Sequence, residues 1–144
     1  MPLLLQIAHA QLNNAAALVD AKHFVFKANS VSPATGSLRQ LTPGYYTLQV
    51  KGDTLVADLP YFGQAYQAPI DPTKAGLTFT ATGYSYEVNN KSKRWDITIK
   101  TNDASEANGV TQIYLNVYNN GSANLQVTSL NRHAISFYGV VEDK

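Results

Sequence analysis

The sequence predicts a mainly β protein, an antiparallel β-barrel of about eight strands with one N-terminal α-helix. Beyond an N-terminal segment, apolar residues alternate with polar ones in short stretches, and each stretch is bounded by a glycine, proline or asparagine turn. Each strand is therefore apolar on one face only, which is typical of antiparallel sheets and argues against a parallel sheet buried on both faces. We favour a closed barrel over an open sandwich because closure removes the unpaired edges at which sheets aggregate.

The length and composition predict a single folded domain over residues 11–144. A chain of 144 residues is long enough for one domain with a sizeable core and too short for two ordinary ones. Hydrophobic residues make up 44% and charged residues 15%, a balance that argues against disorder. The formal net charge of +1 gives no basic stripe and no acidic tail, so the sequence indicates neither a nucleic-acid partner nor an anionic membrane surface.

The first ten residues contain a short apolar run followed by Ala8-His9-Ala10, which has the A-x-A form of a signal-peptidase site. The run lacks a basic start and is shorter than an ordinary signal peptide. We therefore interpret residues 1–10 either as the remnant of a longer export signal or as an ordinary N-terminal segment. The run is also too short for a transmembrane segment.

Residues 11–22 form the predicted helix, because apolar residues recur there at helical spacing and alanine is frequent. We expect this helix to cap one end of the barrel. At His23–Asn29 the spacing of the apolar residues changes from the helical period of 3.6 to a period of two, which predicts the first strand. Residues 30–36 are predicted as a loop, and residues 37–41 either as a short edge strand or as a continuation of that loop.

Residues 45–50 and 54–59 predict a hairpin around Lys51-Gly52-Asp53, whose glycine can adopt the positive φ of a tight turn. Pro60 then ends the second strand, because proline has no N–H to donate to a ladder. Pro60 is the second residue of an aromatic segment, Leu59–Pro69, which combines three aromatic residues with two prolines and a glycine. Such a segment cannot continue a strand.

The second half of the chain predicts further strands separated by polar turns. Gly83 is a candidate bend between the first two, and Asn119-Asn120-Gly121-Ser122 is a strong hairpin turn. The alternation is clearest from Trp95 to Ile99. The predicted strands contain Leu77–Ala81, Tyr84–Val88, Trp95–Ile99, Ile113–Val117, Leu125–Val127 and Ala134–Glu142.

Several short motifs are distributed along these strands and their turns. They are Phe24-Val25-Phe26, Gly44-Tyr45-Tyr46, Leu59-Pro60-Tyr61-Phe62-Gly63, Ala68-Pro69, Gly121-Ser122-Ala123, Asn131-Arg132 and Ile135-Ser136-Phe137-Tyr138-Gly139. Through them the chain from about Val19 onward resembles the domain of unknown function 4251 family, uncharacterised envelope proteins of Bacteroidetes. The resemblance implies a lipocalin-like barrel exported to the periplasm or cell envelope, often as a lipoprotein. This chain has no cysteine to carry a lipid, and the family supplies no catalytic residues.

Four residues are candidates for ligand binding. Tyr61, Phe62 and Tyr66 could line the mouth of the barrel, where aromatic rings with hydroxyl groups suit a small amphipathic ligand. Alternatively, they turn inward and complete the core. Arg132 lies in a turn, where its guanidinium could meet an anionic head group or pair with a carboxylate such as Asp58.

The sequence predicts no catalytic residue, no metal site and no cofactor. The three histidines do not stand at metal-ligand spacing, and no serine lies in a G-x-S-x-G elbow. The loop 102–108 is rich in oxygen ligands but lacks the central glycine and the terminal glutamate of an EF-hand loop. Asp58 is the acid that we first expect to be buried, yet it has no partner for acid–base chemistry.

We therefore expect a non-catalytic envelope protein that binds a small hydrophobic or amphipathic ligand in or at the mouth of the barrel. An interior filled by side chains would contradict this carrier hypothesis, and the side chains expected there are Trp95, Ile97, Leu115 and Leu125. The alternative is a structural module that binds another envelope protein through exposed Tyr45, Tyr114 and Tyr118. An enzyme is the third class, and a cleft that contained Asp58, Arg132 and His133 would favour it.

Overall fold

The computed structural model describes residues 15–33, 37–61, 76–130 and 132–143. Within these ranges, one helical segment over residues 15–21 precedes ten β-strands. The strands are β1 (His23–Ser32), β2 (Arg39–Gln40), β3 (Thr47–Lys51), β4 (Thr54–Leu59), β5 (Leu77–Ala81), β6 (Tyr84–Asn90), β7 (Arg94–Thr101), β8 (Val110–Tyr118), β9 (Ser122–Ser129) and β10 (Ile135–Glu142).

All strand pairs are antiparallel, and the sheet order is β5-β4-β3-β1-β10-β9-β8-β7-β6, with β2 paired to β1 beside β3. β5 and β6 lie at the two edges of this order, although only Thr82 and Gly83 separate them in the chain. Since neighbouring antiparallel strands alternate in direction, β5 and β6 run the same way and form one bent strand over residues 77–90. This bent strand pairs with β4 through its first half and with β7 through its second, which makes the sheet a nearly closed barrel.

The loop between β7 and β8 supports the bent strand at both ends of β5. The backbone N–H of Thr82, just after β5, donates to Oε1 of Glu106 at 2.6 Å. The backbone carbonyl of Gly76, just before β5, accepts from Nδ2 of Asn108 at 3.0 Å. These contacts give backbone groups at the barrel seam partners that a neighbouring strand would otherwise supply.

The core lies inside the barrel and is built from one face of each strand. Burial alternates along β4 and β5, as an antiparallel sheet with a single apolar face requires. A fully buried side chain borders no space that a water molecule can enter, so the interior is filled where such side chains meet. The largest of them are Phe24, Phe26, Phe137, Leu48, Leu55, Leu77, Ile97, Ile99, Ile113, Leu115, Leu125 and Ile135.

The structure corrects the predicted boundaries of the first strand. The sequence predicts a loop from residue 30, but β1 continues to Ser32. A register shift between Ala28 and Ser30 lets the strand keep pairing with β10 beyond the irregularity. Of the two alternatives for residues 37–41, the short strand is correct, since Arg39–Gln40 pairs with β1.

Two tyrosines of β6 hold the end of the helix against the barrel. The hydroxyl of Tyr86 donates to the backbone carbonyl of Val19 at 2.8 Å, and the hydroxyl of Tyr84 donates to the carbonyl of Gly52 in the β3–β4 turn. Nζ of Lys22 lies 5.1 Å from the ring centroid of Tyr86 and 5.6 Å from that of Tyr84, within the range of a cation–π contact. The helix therefore ends at the end of the barrel that carries the β3–β4 turn.

We expect this contact to weaken at alkaline pH. Burial, and then the neighbouring Tyr84 and Asp20, raise the pKa of Tyr86 above its ordinary value of 10.0. The neutral hydroxyl is thus favoured in the folded state, and the stability that it contributes is present below about pH 10 and lost as the pH rises further. In urea unfolding at neutral pH, Tyr86→Phe should lower the free energy of unfolding by about 1 kcal/mol. Between neutral and alkaline pH, the free energy of unfolding should decrease less in this variant than in the wild type. If the free energy of unfolding decreased at alkaline pH as much in Tyr86→Phe as in the exposed control Tyr45→Phe, this assignment would be contradicted.

Candidate functional site

Two of the predicted ligand-binding residues, Tyr61 and Arg132, lie against each other at the end of the barrel where β4 ends. The guanidinium carbon of Arg132 is 5.1 Å from the centroid of the Tyr61 ring. Its Nη1 donates to the backbone carbonyl of Gly76 at 3.0 Å, and the hydroxyl of Tyr61 donates to the backbone carbonyl of His133 at 3.0 Å. The other two, Phe62 and Tyr66, lie outside the described residues.

These contacts join chain segments that are far apart in sequence. Arg132 is only 2% exposed, and burial lowers the pKa of its guanidinium. The carbonyl of Gly76 accepts from both Arg132 and Asn108, so the start of β5 is fixed by the residues before β8 and β10. This arrangement favours a stabilising role for Arg132, because its charged group lies away from solvent.

The expectation that Asp58 is buried is wrong. Asp58 is exposed because it lies between the inward-facing Ala57 and Leu59 and therefore points to the outer face of β4. Its Oδ1 accepts from Oγ1 of Thr78 at 3.4 Å, whereas Arg132 is buried at the barrel end. Asp58 and Arg132 thus do not form the acid–base cleft that would favour an enzyme.

The described residues also hold no cluster suited to a metal ion. No group of three or more His, Asp or Glu side chains among them could coordinate one. In the loop after β7, the carboxylate of Asp103 accepts from the backbone N–H and the hydroxyl of Ser105, and these bonds lower the pKa of Asp103. The oxygen ligands of this loop are thus partly used in a local turn.

A groove of about 310 Å³ lies on the outer face of β8, β9 and β10. Tyr114 and Tyr138 are 45% and 39% exposed, so their rings remain accessible to a ligand. A volume of this size is at the lower end of the range for small-molecule sites. The groove is lined by Tyr114, Asn116, Asn124, Leu125, Gln126, Ser136 and Tyr138.

The strand register arranges the polar lining in two parallel rows. One row runs across the sheet from Tyr114 through Gln126 to Ser136. The next row, two residues along the strands, runs from Asn116 through Asn124 to Tyr138. The two tyrosines therefore occupy opposite corners of a rectangle whose centre is formed by the amides of Gln126 and Asn124.

The groove is electrically neutral, and most of its polar groups are available. Nδ2 of Asn116 donates to Oδ1 of Asp96 at 2.7 Å, and the same oxygen is 2.8 Å from Nε of Arg94. The hydrogen bond from Arg94, ahead of the weaker contribution of Asn116, lowers the pKa of Asp96. Within the described part of the chain, five lining side chains make no hydrogen bond to another residue, namely Tyr114, Asn124, Gln126, Ser136 and Tyr138.

The predicted face of three tyrosines is not one surface. Tyr45 is 70% exposed but lies in the turn before β3, which β1, β10 and β9 separate from β8. Tyr118 is half-buried and lines a second pocket with Arg94 at the β6–β7 turn. Only Tyr114 belongs to the groove. Tyr138, which lines the groove with Tyr114, is part of a family motif in the sequence, but the sequence alone does not predict that it lies in this groove.

Within the described residues, no helix has the length and apolar character that crossing a bilayer requires.

A family model for a domain of unknown function, DUF4251, matches residues 7–141. A crystal structure of a DUF4251 family protein from Bacteroides eggerthii is similar, with a TM-score of 0.70 and 16% sequence identity over 93% of this chain and 88% of that chain. At this identity the likeness shows the fold alone, and no curated protein matches the chain. Since the family model spans nearly the whole sequence, the protein belongs to the DUF4251 family.

Proposed function

We propose that this protein is a non-catalytic binding protein of the cell envelope that contacts its partner through the outer face of β8, β9 and β10. The observation that carries this proposal is the groove between Tyr114 and Tyr138, in which exposed rings flank available amide groups. Exposed aromatic residues beside polar groups are typical of binding surfaces rather than of a solvated sheet.

A non-catalytic role is supported by the causes of the shifted pKa values. Among the described residues, each shift arises from a contact that holds the fold: the helix contact, an ion pair on β7, a turn or the buried barrel end. None of these groups forms an acid and base pair that faces the groove. The groups concerned are Tyr84, Tyr86, Arg94, Asp96, Asp103 and Arg132.

The packing of the interior favours the outer face over a ligand carried inside the barrel. Ile97 and Leu115 are fully buried and Leu125 is 1% exposed, while Trp95 packs against them half-buried. A ligand in the interior would have to displace these side chains from close-packed positions. A ligand at the barrel end would meet a Tyr61 ring that already contacts Arg132.

The envelope location is supported by the sequence and by the family. Ala8-His9-Ala10 has the form of a signal-peptidase site, and the resemblance of the sequence to uncharacterised envelope proteins implies export. The partner is accordingly sought in envelope extract rather than in cytosol. A partner that is retained from cytosolic extract alone would contradict this part of the proposal.

Capture from the envelope extract of the protein's own host tests the binding face. We expect immobilised wild-type protein to retain a component that the double variant Tyr114→Ala/Tyr138→Ala retains at least about tenfold less, because aromatic residues at the centre of a contact carry much of its energy. Tyr45→Ala removes a more exposed tyrosine outside the groove, and this variant should retain the component fully. Thermal unfolding verifies that all variants are folded. Equal retention by the three proteins, or no retention by the wild type, would contradict the proposal.

A further inference from the structure

We infer that the groove on β8, β9 and β10 binds a neutral, hydroxyl-rich ligand, an oligosaccharide of at least two sugar rings. The inference rests on the proposed function, since it names the ligand of the same face. It follows from three properties of the groove: the absence of charge in its lining, the hydrogen-bonding groups at its centre, and the positions of its two tyrosines.

The lining excludes the commonest alternatives by its chemistry. All seven lining residues are uncharged at neutral pH, and the carboxylate of Asp96, which accepts from the lining residue Asn116, is paired with Arg94. A phosphate or a carboxylate ligand would find no counter-charge in the groove. A hydrocarbon ligand would cover the amides of Asn124 and Gln126 without replacing their hydrogen bonds to water, which is unfavourable.

An extended peptide is also a poor match. Peptides that bind sheets usually add a strand to a free edge, where main-chain N–H and C=O groups are unpaired. β8, β9 and β10 each pair with a neighbour on both sides, so this face offers side chains only. Recognition must therefore come from the carboxamides, hydroxyls and rings of the lining.

Those side chains match the hydroxyl groups of a sugar. Each carboxamide carries an acceptor oxygen and a donor NH₂ side by side, and a sugar hydroxyl both donates and accepts. Asn124 and Gln126 lie on the same strand, two residues apart, and form the centre of the groove. Ser136 adds a hydroxyl beside Gln126, so adjacent hydroxyls of one ring can be bound together.

The tyrosines set the minimum length of the ligand. Tyr114 and Tyr138 stand at opposite corners of the two rows, which places their Cα atoms roughly 12 Å apart from the ordinary strand spacing and rise. The face of a tyrosine ring packs against the C–H face of a sugar ring, while its hydroxyl stays in water. A chain of two or more rings that crosses β9 obliquely can touch both tyrosines and lie over both central amides.

Nitrogen–proton NMR titration of the whole protein tests the inference. The probes are soluble neutral tetrasaccharides of glucose (β-1,4 and α-1,4), xylose, mannose and N-acetylglucosamine. We expect one of them at millimolar concentration to shift backbone signals of β8–β10 and the side-chain NH₂ signals of Asn124 and Gln126. Asn124→Leu, which keeps the volume without the amide, and Tyr114→Ala should each weaken binding by about tenfold or more. Tyr45→Ala should bind as the wild type does.

The outcomes separate this inference from the proposed function. If none of these saccharides shifts the signals of β8–β10, or if the shifts map to the pocket at Lys91–Arg94 instead, the saccharide inference is overturned. Capture of a protein component that depends on Tyr114 and Tyr138 would then uphold the binding face and reject its ligand class. Unchanged binding by Asn124→Leu would likewise overturn the role given to the amides.

Discussion

Replacement of Gly139 by alanine is expected to lower the free energy of unfolding by roughly 3 kcal/mol or more. A Cβ atom at this position would overlap the backbone carbonyl oxygen of Lys27 and would lie 2.8 Å from its carbonyl carbon and 3.0 Å from Cα of Ala28. All three are backbone atoms of β1. They cannot move aside without loss of the β1–β10 ladder, which is a central pairing of the barrel. Urea unfolding followed by circular dichroism measures the loss.

Gly52→Ala provides the matched control. Nothing lies within 4 Å of a Cβ at Gly52, but its φ of +65° is in the left-handed region, so alanine there carries only a conformational cost of about 1 kcal/mol. The loss at Gly139 should exceed this value clearly. Similar losses for the two variants would contradict a steric explanation at Gly139.

The same close approach connects a family motif to the proposed binding face. The register shift between Ala28 and Ser30 lies opposite Gly139, at the end of the motif Ile135–Gly139. Tyr138 precedes the glycine and forms one corner of the groove. A backbone displaced by a larger residue at Gly139 would therefore move Tyr138 as well, and the motif has both a structural and a proposed binding role.

Local pattern was sufficient to predict most strands of this barrel. Ile97 and Leu115 point inward as their alternation predicts, because the side-chain period of a strand is two and one face must be buried. The hairpin at Gly52 also follows from a short-range signal, and that glycine has the positive φ that the turn demands. The strand order does not follow in this way. The position of β1 between β3 and β10 depends on contacts between distant segments, which the local sequence pattern does not predict.

The candidate sites were predictable only in part, for the same reason. The sequence singles out Tyr61 and Arg132, but the burial of the guanidinium depends on the segments around Gly76 and Asn108 that pack on it. The composition of the groove depends even more on long-range structure, because the register between β8, β9 and β10 decides which side chains lie next to one another. Asn124 can be assigned to a polar face from alternation alone, whereas its neighbours in the groove come from three strands.

Replacement of Arg132 by alanine is expected to lower the free energy of unfolding by about 3 kcal/mol. The substitution removes the hydrogen bond to the carbonyl of Gly76 and the contact with the ring of Tyr61, and it leaves space where a 2% exposed side chain was packed. Arg132→Met separates these causes, because methionine fills much of the space without donating a hydrogen bond. We expect it to recover less than half of the loss, since a charge-assisted hydrogen bond contributes more than a neutral one.

Two further variants decide between the stabilising role of Arg132 and the ligand-binding role that the sequence suggests. Tyr61→Phe keeps the ring but removes the hydrogen bond to the carbonyl of His133, and it should lower the free energy of unfolding by about 1 kcal/mol. The Tyr61→Leu/Arg132→Met pair, analysed as a double-mutant cycle, should show a coupling energy because the ring and the guanidinium are in contact. A fully stable Arg132→Met protein without such coupling would refute the stabilising role. Retained binding at the Tyr114 groove by Arg132→Met would show that the barrel end and the outer face act independently.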